Sequence, residues 1–310
     1  ALSSAASDVY KRQIKKEMRE AGISFAEKVS MSRYTSFKAG GEAAFVAEAA
    51  DEEQLKKLLK ITSDLEVPHI LIGNGSNILF KDSGYEGIVI KLSQAFAYEN
   101  VIDEGRVVCG TAILLSTLAR ELMNEELTGF EFASGIPGSL GGALFMNAGA
   151  YGGEMKQVVK SVRAISADGS EERVFSNEEM KFGYRKSLLS ENGYIAVEAV
   201  LELKKGDRKE IAEKMKELSV KRNSKQPVNY PSAGSTFKRP EGHFAGKLIE
   251  EAGLKGVAVG GAEVSVLHSG FIINKGGATA TDILELITLV QNRVYDESGI
   301  MLEPEVRIIG

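Results

Sequence analysis

At 310 residues, the chain is long enough for two or three domains that each bury a proper core. Its apolar and charged shares, 43% and 26%, are ordinary for a globular protein, and a net charge of −5 gives no support for nucleic-acid binding. The single cysteine, Cys109, excludes an intramolecular disulfide framework, and three scattered histidines lack the spacing of a structural metal site. No apolar run nears the ~20 residues of a membrane helix, and no secretory segment is visible, so we expect a soluble, cytoplasmic protein without a metal.

The first thirteen residues show neither clear periodicity nor a motif. Their end, D-V-Y-K-R-Q, resembles a translated sequencing-adapter remnant, and an ordinary disordered tail is the alternative. In either case we expect residues 1–13 to carry no function.

Up to about residue 206, short helices and strands alternate. A helix is predicted over 14–20, and Asp51 is placed to cap a second helix that carries leucines on one face. A third helix starts near Leu115 and is expected to end at Gly129. The predicted strands are 44–49, 69–72, 88–90, 107–109, 162–165 and 194–203.

The chain becomes more charged after residue 206. An amphipathic helix is predicted over 209–222, and Thr281 is expected to cap a long helix that Gly299 ends. The other predicted elements are a loop at 225–240, a helix at 245–252, and strands near 264, at 271–274 and at 305–309. No internal repeat is visible, and the pattern predicts an α+β chain with a two-lobed first domain.

The run from Ser134 to Glu154, S-G-I-P-G-S-L-G-G-A-L-F-M-N-A-G-A-Y-G-G-E, is rich in glycine. Glycine lets other groups approach the backbone closely, but it loses much chain entropy on folding, and something must offset that loss. Backbone N–H groups that converge on the anionic part of a ligand would do so. Tight turns that pack loop on loop are the alternative. Because Phe145, Met146 and Asn147 add apolar and amide contacts, the run favours a flat, partly apolar ligand that carries phosphates.

A second loop points to the same kind of ligand. The predicted strand at 69–72 leads directly into Gly73-Asn74-Gly75-Ser76-Asn77, a common geometry for holding a pyrophosphate. The Rossmann fingerprint would require glycine where Ile78 stands, and no acidic residue of the expected kind follows about 20 residues later. The Walker A pattern is absent as well. The two glycine loops therefore belong to neither of the two commonest nucleotide folds.

Three polar residues are candidates for chemistry, although none is decisive alone. Ser235 stands in A-G-S-T-F, which is no nucleophile elbow, so a serine hydrolase is disfavoured. Its hydroxyl could donate a proton or bind an oxyanion, or it could simply stabilise a turn. Arg185 suits a carboxylate or phosphate, or else a surface ion pair. Glu305 could be a partly buried acid or a solvated strand residue.

Five motifs occur in one order: G-N-G-S-N-I-L, the glycine run, F-G-Y-R-K-S, P-S-A-G-S-T-F-K-R-P and L-E-P-E-V-R. Together they resemble the UDP-N-acetylenolpyruvoylglucosamine reductase family, bacterial flavoenzymes of peptidoglycan precursor synthesis, over about residues 14–310. The resemblance implies a two-lobed FAD-binding domain of the para-cresol methylhydroxylase type and a C-terminal α+β substrate domain. The implied bounds are 14–206 for the FAD domain (lobes 14–67 and 68–206), 207–301 for the substrate domain and 302–310 for a strand that returns to the flavin.

The resemblance also implies how the cofactor is held. FAD should be bound non-covalently, because Cys109 and the three histidines lie outside the cofactor motifs. The residues implied to contact it are Gly73, Asn74, Gly75, Ser76, Asn77, Gly135, Ile136, Pro137, Gly138, Ser139, Gly141, Gly142, Asn147, Ala148 and Gly149.

The implied reaction starts when NADPH delivers a hydride to the flavin. NADP then leaves, and UDP-N-acetylglucosamine enolpyruvate binds in the place of the nicotinamide nucleotide. It receives a hydride from flavin N5, so that an enolate develops toward the substrate carboxylate. Arg185 and Glu305 resemble the family's pair at that carboxylate, with Glu305 protonated because burial raises its pKa. Ser235 resembles the proton donor to C2, acting directly or through a water. The implied substrate-binding residues are Lys225, Arg239 and Tyr184.

One departure from the family pattern affects the nucleotide site. Some members carry a long insertion after F-x-Y-R with a tyrosine that closes on the nucleotide, whereas only a short stretch separates Ser187 from Tyr194 here. The chain thus resembles the shorter subtype, and its nucleotide clamp is unassigned. Two alternatives are a flavin oxidase of the same fold, which has no reason to carry the last two motifs, and a non-catalytic nucleotide-sugar sensor. No membrane, nucleic-acid or obligatory protein partner is expected.

Overall fold

The computed structural model describes residues 4–310, a mixture of helices and strands that confirms the predicted α+β class. The helices are α1 (Ser4–Glu20), α2 (Glu52–Asp64), α3 (Leu115–Asn124), α4 (Leu140–Phe145), α5 (Leu189–Asn192), α6 (Arg208–Lys225), α7 (Ala245–Glu251) and α8 (Ala280–Ser298). Within these residues, no helix combines the length and the apolar character needed to cross a bilayer.

The strands are short and alternate with the helices. They are β1 (Ser24–Ser30), β2 (Glu42–Ala49), β3 (His69–Leu71), β4 (Ile78–Phe80), β5 (Tyr85–Leu92), β6 (Glu99–Val101), β7 (Arg106–Gly110), β8 (Leu127–Thr128), β9 (Gly149–Ala150), β10 (Gly153–Glu154), β11 (Val159–Ile165), β12 (Glu172–Ser176), β13 (Ile195–Glu202), β14 (Lys204–Lys205), β15 (Ala258–Val259), β16 (Ala262–Val264), β17 (Ile272–Asn274) and β18 (Arg307–Ile309).

The chain folds into two compact units. The first comprises the described residues up to Glu27, then Phe45–Gly73 and Gly87–Leu218. The second comprises Lys28–Ala44, Asn74–Glu86 and Ser219–Gly310. The later cut falls inside α6, twelve residues beyond the predicted boundary near residue 206. The predicted domains were defined by the ligand that each one binds, and a division into compact units does not test ligand binding. Their bounds therefore stay a prediction.

The first unit is built largely on two sheets. One has the strand order β1-β2-β5-β3, and its β3 runs parallel to β5 with His69 opposite Ile88. The other is antiparallel, in the order β12-β11-β13-β7-β6. Leu115, Leu118 and Leu122 of α3 pack into the core beside β7 and β13, which accounts for their helical spacing.

The second unit has a smaller antiparallel sheet, β15-β16-β17, whose core is completed by α7 and α8. The buried face of α8 follows helical periodicity through Ile283, Ile287, Val290 and Val294. Near the end of the chain, β18 pairs in parallel with β4, so that Arg307 lies opposite Ile78. This pairing fixes the residues before β18 against the loop before β4.

The start of α8 corrects one prediction, since Thr279 and not Thr281 caps the helix. The Thr279 hydroxyl accepts a hydrogen bond from the Asp282 N–H, and the Asp282 carboxylate accepts one from the Thr279 N–H, both at 3.0 Å. This reciprocal capping box satisfies two otherwise unpaired donors. Thr281 lies inside the helix and donates its hydroxyl to the Asp82 carboxylate at 2.7 Å.

Two other boundaries also differ from the sequence-based expectation. α3 ends at Asn124, well before Gly129, because Glu126 itself takes the left-handed conformation with φ of +57°. α1 starts at Ser4, so the expected disordered tail is helical over residues 4–13, while residues 1–3 lie outside the described part of the chain.

Candidate active site

The predicted site residues lie in both units. Gly73, the glycine run and Arg185 belong to the first unit, whereas Asn74–Asn77, Ser235 and Glu305 belong to the second. The structure therefore supplies two sets of contacts, one inside each unit.

In the first unit, Gly73 lies directly against Ser139 of the glycine run. A Cβ atom on Gly73 would fall 2.3 Å from the Ser139 Oγ atom, so a larger residue here would require the serine side chain to move. The Lys91 ammonium group donates a hydrogen bond to the Gly73 carbonyl, and burial lowers the pKa of Lys91. The two predicted cofactor loops thus meet in this unit beside a half-buried cation. Lys91 belongs to none of the sequence motifs, and it was not predicted as a site residue.

The first half of the glycine run packs against the segment before α3. The Leu140 N–H donates to the Ile113 carbonyl at 2.9 Å, and the Gly141 N–H donates to the Thr111 carbonyl at 2.8 Å. At Gly142 a side chain would meet no close neighbour, because the nearest atom to a Cβ there would be 4.0 Å away. Three residues along this half of the run are exposed, namely Gly135, Pro137 and Gly142.

The second half of the run forms a hairpin, as the alternative of tight turns predicts. β9 and β10 pair across Tyr151 and Gly152, which both have positive φ, +53° and +86°. A Cβ on Gly149 would fall 2.6 Å from the Gly153 carbonyl oxygen, and one on Gly153 would meet the Phe132 ring at 2.4 Å. Packing alone therefore accounts for these glycines, and the predicted contact of Gly149 with FAD stays a prediction.

Arg185 occupies the third position of a tight turn in the first unit. The Gly183 N–H donates to the Lys186 carbonyl at 3.0 Å, and the Lys186 N–H donates back to the Gly183 carbonyl at 3.3 Å. Arg185 has a φ of +55°, in the left-handed region that such a turn position usually reserves for glycine or asparagine. Its guanidinium lies 5.2 Å from the centre of the Tyr184 ring, and that tyrosine is 54% exposed. Strain of this kind at an arginine is a mark of functional sites.

In the second unit, the loop before β4 is fixed to the residues before β18. The Asn77 side chain donates to the Glu305 carbonyl at 3.1 Å, and the Arg307 N–H donates to the Asn77 carbonyl at 3.0 Å. Gly75 has a φ of +62°, and a Cβ there would fall 1.9 Å from the Tyr34 carbonyl oxygen. The motifs around Asn77 and Glu305, 228 residues apart in sequence, are thus neighbours.

Ser235 and Glu305 are also brought together in the second unit. The residue after Ser235, Thr236, accepts a hydrogen bond at its carbonyl from the Glu305 N–H at 2.8 Å. On the other side, the Thr236 N–H donates to the Gly270 carbonyl at 2.8 Å, and its hydroxyl accepts from the Ile272 N–H at 3.0 Å. Both Ser235 and Glu305 are half-buried. The backbone around the serine is therefore fixed on both sides while its side chain remains reachable.

The predicted substrate-binding residues of the second unit lie near its surface. Lys225 is exposed at the end of α6, and Arg239 is exposed with its guanidinium 4.0 Å from the centre of the Phe244 ring. Next to Lys225, the Gln226 Oε1 atom is buried, and no residue between 4 and 310 gives it a hydrogen bond. An unpaired buried amide oxygen costs about 1–3 kcal/mol. Sequence analysis did not assign Gln226, and no local pattern marks it.

The cysteine and two of the histidines lie in packed surroundings. Cys109 is buried in β7, and burial raises the pKa of its thiol. Burial lowers the pKa of His69 and of His268, and the Nδ1 atom of His268 accepts a hydrogen bond from the Gly270 N–H at 3.1 Å. Over the described range, 4–310, no cluster of three or more His, Cys, Asp or Glu side chains could hold a metal ion.

Comparison with known proteins gives matches along nearly the whole chain. Residues 43–174 match the family model of an FAD binding domain, and residues 226–309 match that of the UDP-N-acetylenolpyruvoylglucosamine reductase C-terminal domain. The UDP-N-acetylenolpyruvoylglucosamine reductase of Clostridioides difficile is 53% identical over 283 residues, covering 90% of this chain and 91% of that protein. The reductase of the same name from Alkaliphilus oremlandii is 52% identical over 281 residues, with coverage of 90% and 91%.

A solved structure agrees with the sequence relatives. The UDP-N-acetylenolpyruvylglucosamine reductase of Thermus caldophilus matches with a TM-score of 0.80 and 37% sequence identity, covering 93% of this chain and 99% of that one. Together with the match to an FAD binding domain, this confirms the flavin-binding fold predicted from the sequence.

Proposed function

The chain belongs to the UDP-N-acetylenolpyruvoylglucosamine reductase family, and we propose that it reduces UDP-N-acetylglucosamine enolpyruvate to UDP-N-acetylmuramate in the cytoplasm, with NADPH as hydride donor. The observation that carries the proposal is the hydrogen bond that places the Ser235 segment beside Glu305. This main-chain bond, from the Glu305 N–H to the Thr236 carbonyl, brings the segment of a candidate proton donor next to a candidate acid, and reduction of an enolpyruvyl group requires both.

The residues of the first unit fit FAD. Gly135, Pro137 and Gly142 are exposed residues of the glycine run that a ligand can reach, and Lys91 adds positive charge beside Gly73 for an anionic pyrophosphate. Cys109 lies in the core, which supports non-covalent binding. Bound FAD would supply the hydride chemistry, from NADPH and through N5 to the enolpyruvyl methylene carbon.

The protein's own groups stabilise the charge that hydride addition creates. Negative charge then develops toward the substrate carboxylate, and Arg185 would hold that carboxylate with its planar guanidinium. Protonated Glu305 would donate a hydrogen bond to the same carboxylate. Ser235 would deliver a proton to C2, directly or through a water. In this scheme each group acts on charge or a proton, and none forms a covalent bond to substrate.

The second unit also offers groups for the nucleotide part of the substrate. We assign Lys225 and Arg239 to the diphosphate, with Arg239 ordered by its contact with Phe244. The Gln226 Oε1 atom, next to Lys225, is buried in the unliganded chain, and rotation of the side chain on binding would pair it with a donor on the substrate. Tyr184 of the first unit lies on the Arg185 turn and is exposed, and we assign it to substrate binding as well.

Replacing Gln226 with Met should have opposite effects on stability and on substrate binding. Gln226→Met keeps a similar shape and removes the unpaired oxygen, so the unliganded protein should melt at the same or a higher temperature. Loss of one substrate hydrogen bond should raise KM for the UDP substrate about tenfold. Thermal melting and steady-state kinetics measure the two effects.

Gln291→Met is the matched control, because the Gln291 side chain donates to the Leu302 carbonyl at 2.8 Å in the same unit. This control should melt at a lower temperature and keep its KM. A lower melting temperature with unchanged KM for Gln226→Met as well would contradict the assignment.

The reaction itself is tested in two anaerobic half-reactions. NADPH should bleach the flavin of the purified protein, and UDP-N-acetylglucosamine enolpyruvate should then restore its absorbance promptly. Reduced flavin that ignores this substrate and reacts only on admitting oxygen would favour an oxidase of the same fold. A protein that binds the nucleotide sugar and holds no flavin would favour a sensor.

A further inference from the structure

The turn that carries Arg185 needs support from outside itself. A φ of +55° at a non-glycine residue costs about 1 kcal/mol or more, and such strain persists only where surrounding groups hold it. The two backbone hydrogen bonds between Gly183 and Lys186 join the ends of the turn to each other. They do not attach it to the rest of the first unit.

The side chain of Asn147 provides one attachment. Its Nδ2 atom donates to the Gly183 carbonyl and to the Glu154 carboxylate, both at 3.1 Å, and its Oδ1 atom accepts from the Lys156 N–H at 2.9 Å. Asn147 is only 1% exposed, so water does not compete for these contacts. One buried amide therefore links the Arg185 turn to Glu154 at the end of the glycine run and to Lys156 just beyond it.

Ser187 provides a second attachment on the other side of Arg185. Its hydroxyl donates to the Phe145 carbonyl at 2.8 Å, and the residue is 1% exposed. The two hydrogen bonds leave the turn on either side of Arg185 and reach residues only two apart, Phe145 and Asn147. A turn held at both ends in this way has its orientation fixed as well as its position.

The backbone of Asn147 ends helix α4. The Ala148 N–H donates to the Ala143 carbonyl at 2.9 Å and the Asn147 N–H to the Leu144 carbonyl at 3.5 Å, which is the Schellman pattern that ends α4. Asn147 takes the left-handed position of this pattern with φ of +46°, where glycine is the most favourable residue. Glycine and, less often, asparagine end helices in this way, and here the asparagine also makes the three side-chain hydrogen bonds given above.

We propose that Asn147 is a positioning residue for the reaction, whose amide holds the Gly183–Lys186 turn so that Arg185 is presented to the substrate carboxylate. This inference rests on the proposed function, because it takes Arg185 as the group that meets that carboxylate. It gives Asn147 a role through Arg185 in place of the cofactor contact expected from its motif.

The test is Asn147→Gly, which keeps the left-handed backbone and removes only the amide. Reduction of the flavin by NADPH should change by less than about twofold, whereas reoxidation by the enolpyruvyl substrate should slow about 10- to 100-fold. In the Arg185→Ala background, the same change should add less than about twofold, because a group that acts through Arg185 has nothing left to position. Asn147→Asp keeps the Lys156 contact, loses both donors and should show the same defect.

A second measurement does not depend on the substrate. Hydrogen exchange of the peptide spanning residues 183–187 should be faster in Asn147→Gly than in the wild type. Asn192→Gly is the control, since it removes the same side chain from the last residue of another short helix, where Gly193 takes the left-handed position and the amide accepts a single hydrogen bond from the Tyr194 N–H at 3.1 Å. Its reoxidation rate and its exchange in 183–187 should match those of the wild type.

The outcomes separate this inference from the proposed function. A wild-type protein whose reduced flavin ignores the enolpyruvyl substrate would overturn the function, and faster exchange in Asn147→Gly would still support the anchored turn. Unchanged exchange, or a reoxidation defect that multiplies fully with that of Arg185→Ala, would overturn the inference.

Discussion

Ser235→Ala should leave reduction of the flavin by NADPH nearly intact and slow its reoxidation by UDP-N-acetylglucosamine enolpyruvate about 10²- to 10⁴-fold. The range is that of a lost general acid, since only the second half-reaction needs a proton at C2. The fold should survive the change, because the hydrogen bonds that fix this segment come from Thr236 and its neighbours and not from the Ser235 side chain. Stopped-flow absorbance of the flavin under anaerobic conditions measures the two steps separately.

Ser298→Ala is the matched control for this prediction. The Ser298 hydroxyl donates to the Val294 carbonyl at the end of α8, in the same unit. Its removal should leave both half-reactions unchanged. Equal losses in both half-reactions of Ser235→Ala would mean that the serine supports binding or folding and is not the proton donor.

The glycine run shows how far a sequence pattern can go. Its richness in glycine correctly indicates close approaches of the backbone, as at Gly141 against Thr111 and at Gly153 against Phe132. The pattern cannot say which glycines serve packing and which leave open space, because the deciding neighbours lie some twenty or thirty residues away. The tight-turn alternative therefore describes the second half of the run, and ligand binding by the first half stays a prediction.

The prediction of helix boundaries failed where the sequence offered two acceptable residues. The apolar periodicity of α8 is clear, but Thr279 and Thr281 are both acceptable caps. The acidic residue three positions after Thr279, Asp282, favours the first of them, and the structure has that capping box. After α3, the left-handed residue is Glu126. Glutamate has no particular preference for this conformation, so the sequence pointed to Gly129 instead.

Site geometry depends mostly on contacts between distant segments. The motifs marked Arg185, Ser235 and Glu305, yet the strain at Arg185 and its attachment to Asn147 are visible only in three dimensions. The same holds for Lys91 at the Gly73 carbonyl and for the unpaired oxygen of Gln226. Motifs thus predicted which residues carry the chemistry, and the fold shows the contacts that hold those residues in place.

Replacing Glu305 with Gln should preserve FAD binding and lower turnover about 10²- to 10³-fold. A protonated carboxyl group donates a short, strong hydrogen bond to the developing negative charge, and the weaker donor of an amide does so less well. The backbone at this position should be unaffected, because its contacts with Thr236 and Asn77 are made by the main chain of Glu305. Flavin content per protein and steady-state turnover give the two readouts.

Glu303→Gln provides the control two residues earlier in the same segment. The Glu303 side chain is 70% exposed and pairs with Lys238, so its neutralisation removes a surface ion pair that contributes at most about 1 kcal/mol. Turnover should stay at the wild-type level, although both variants replace a glutamate of the same segment with glutamine. If Glu305→Gln also turned over normally, the reaction would not need an acid at this position, and stabilisation of the enolate would fall to Arg185 and Ser235.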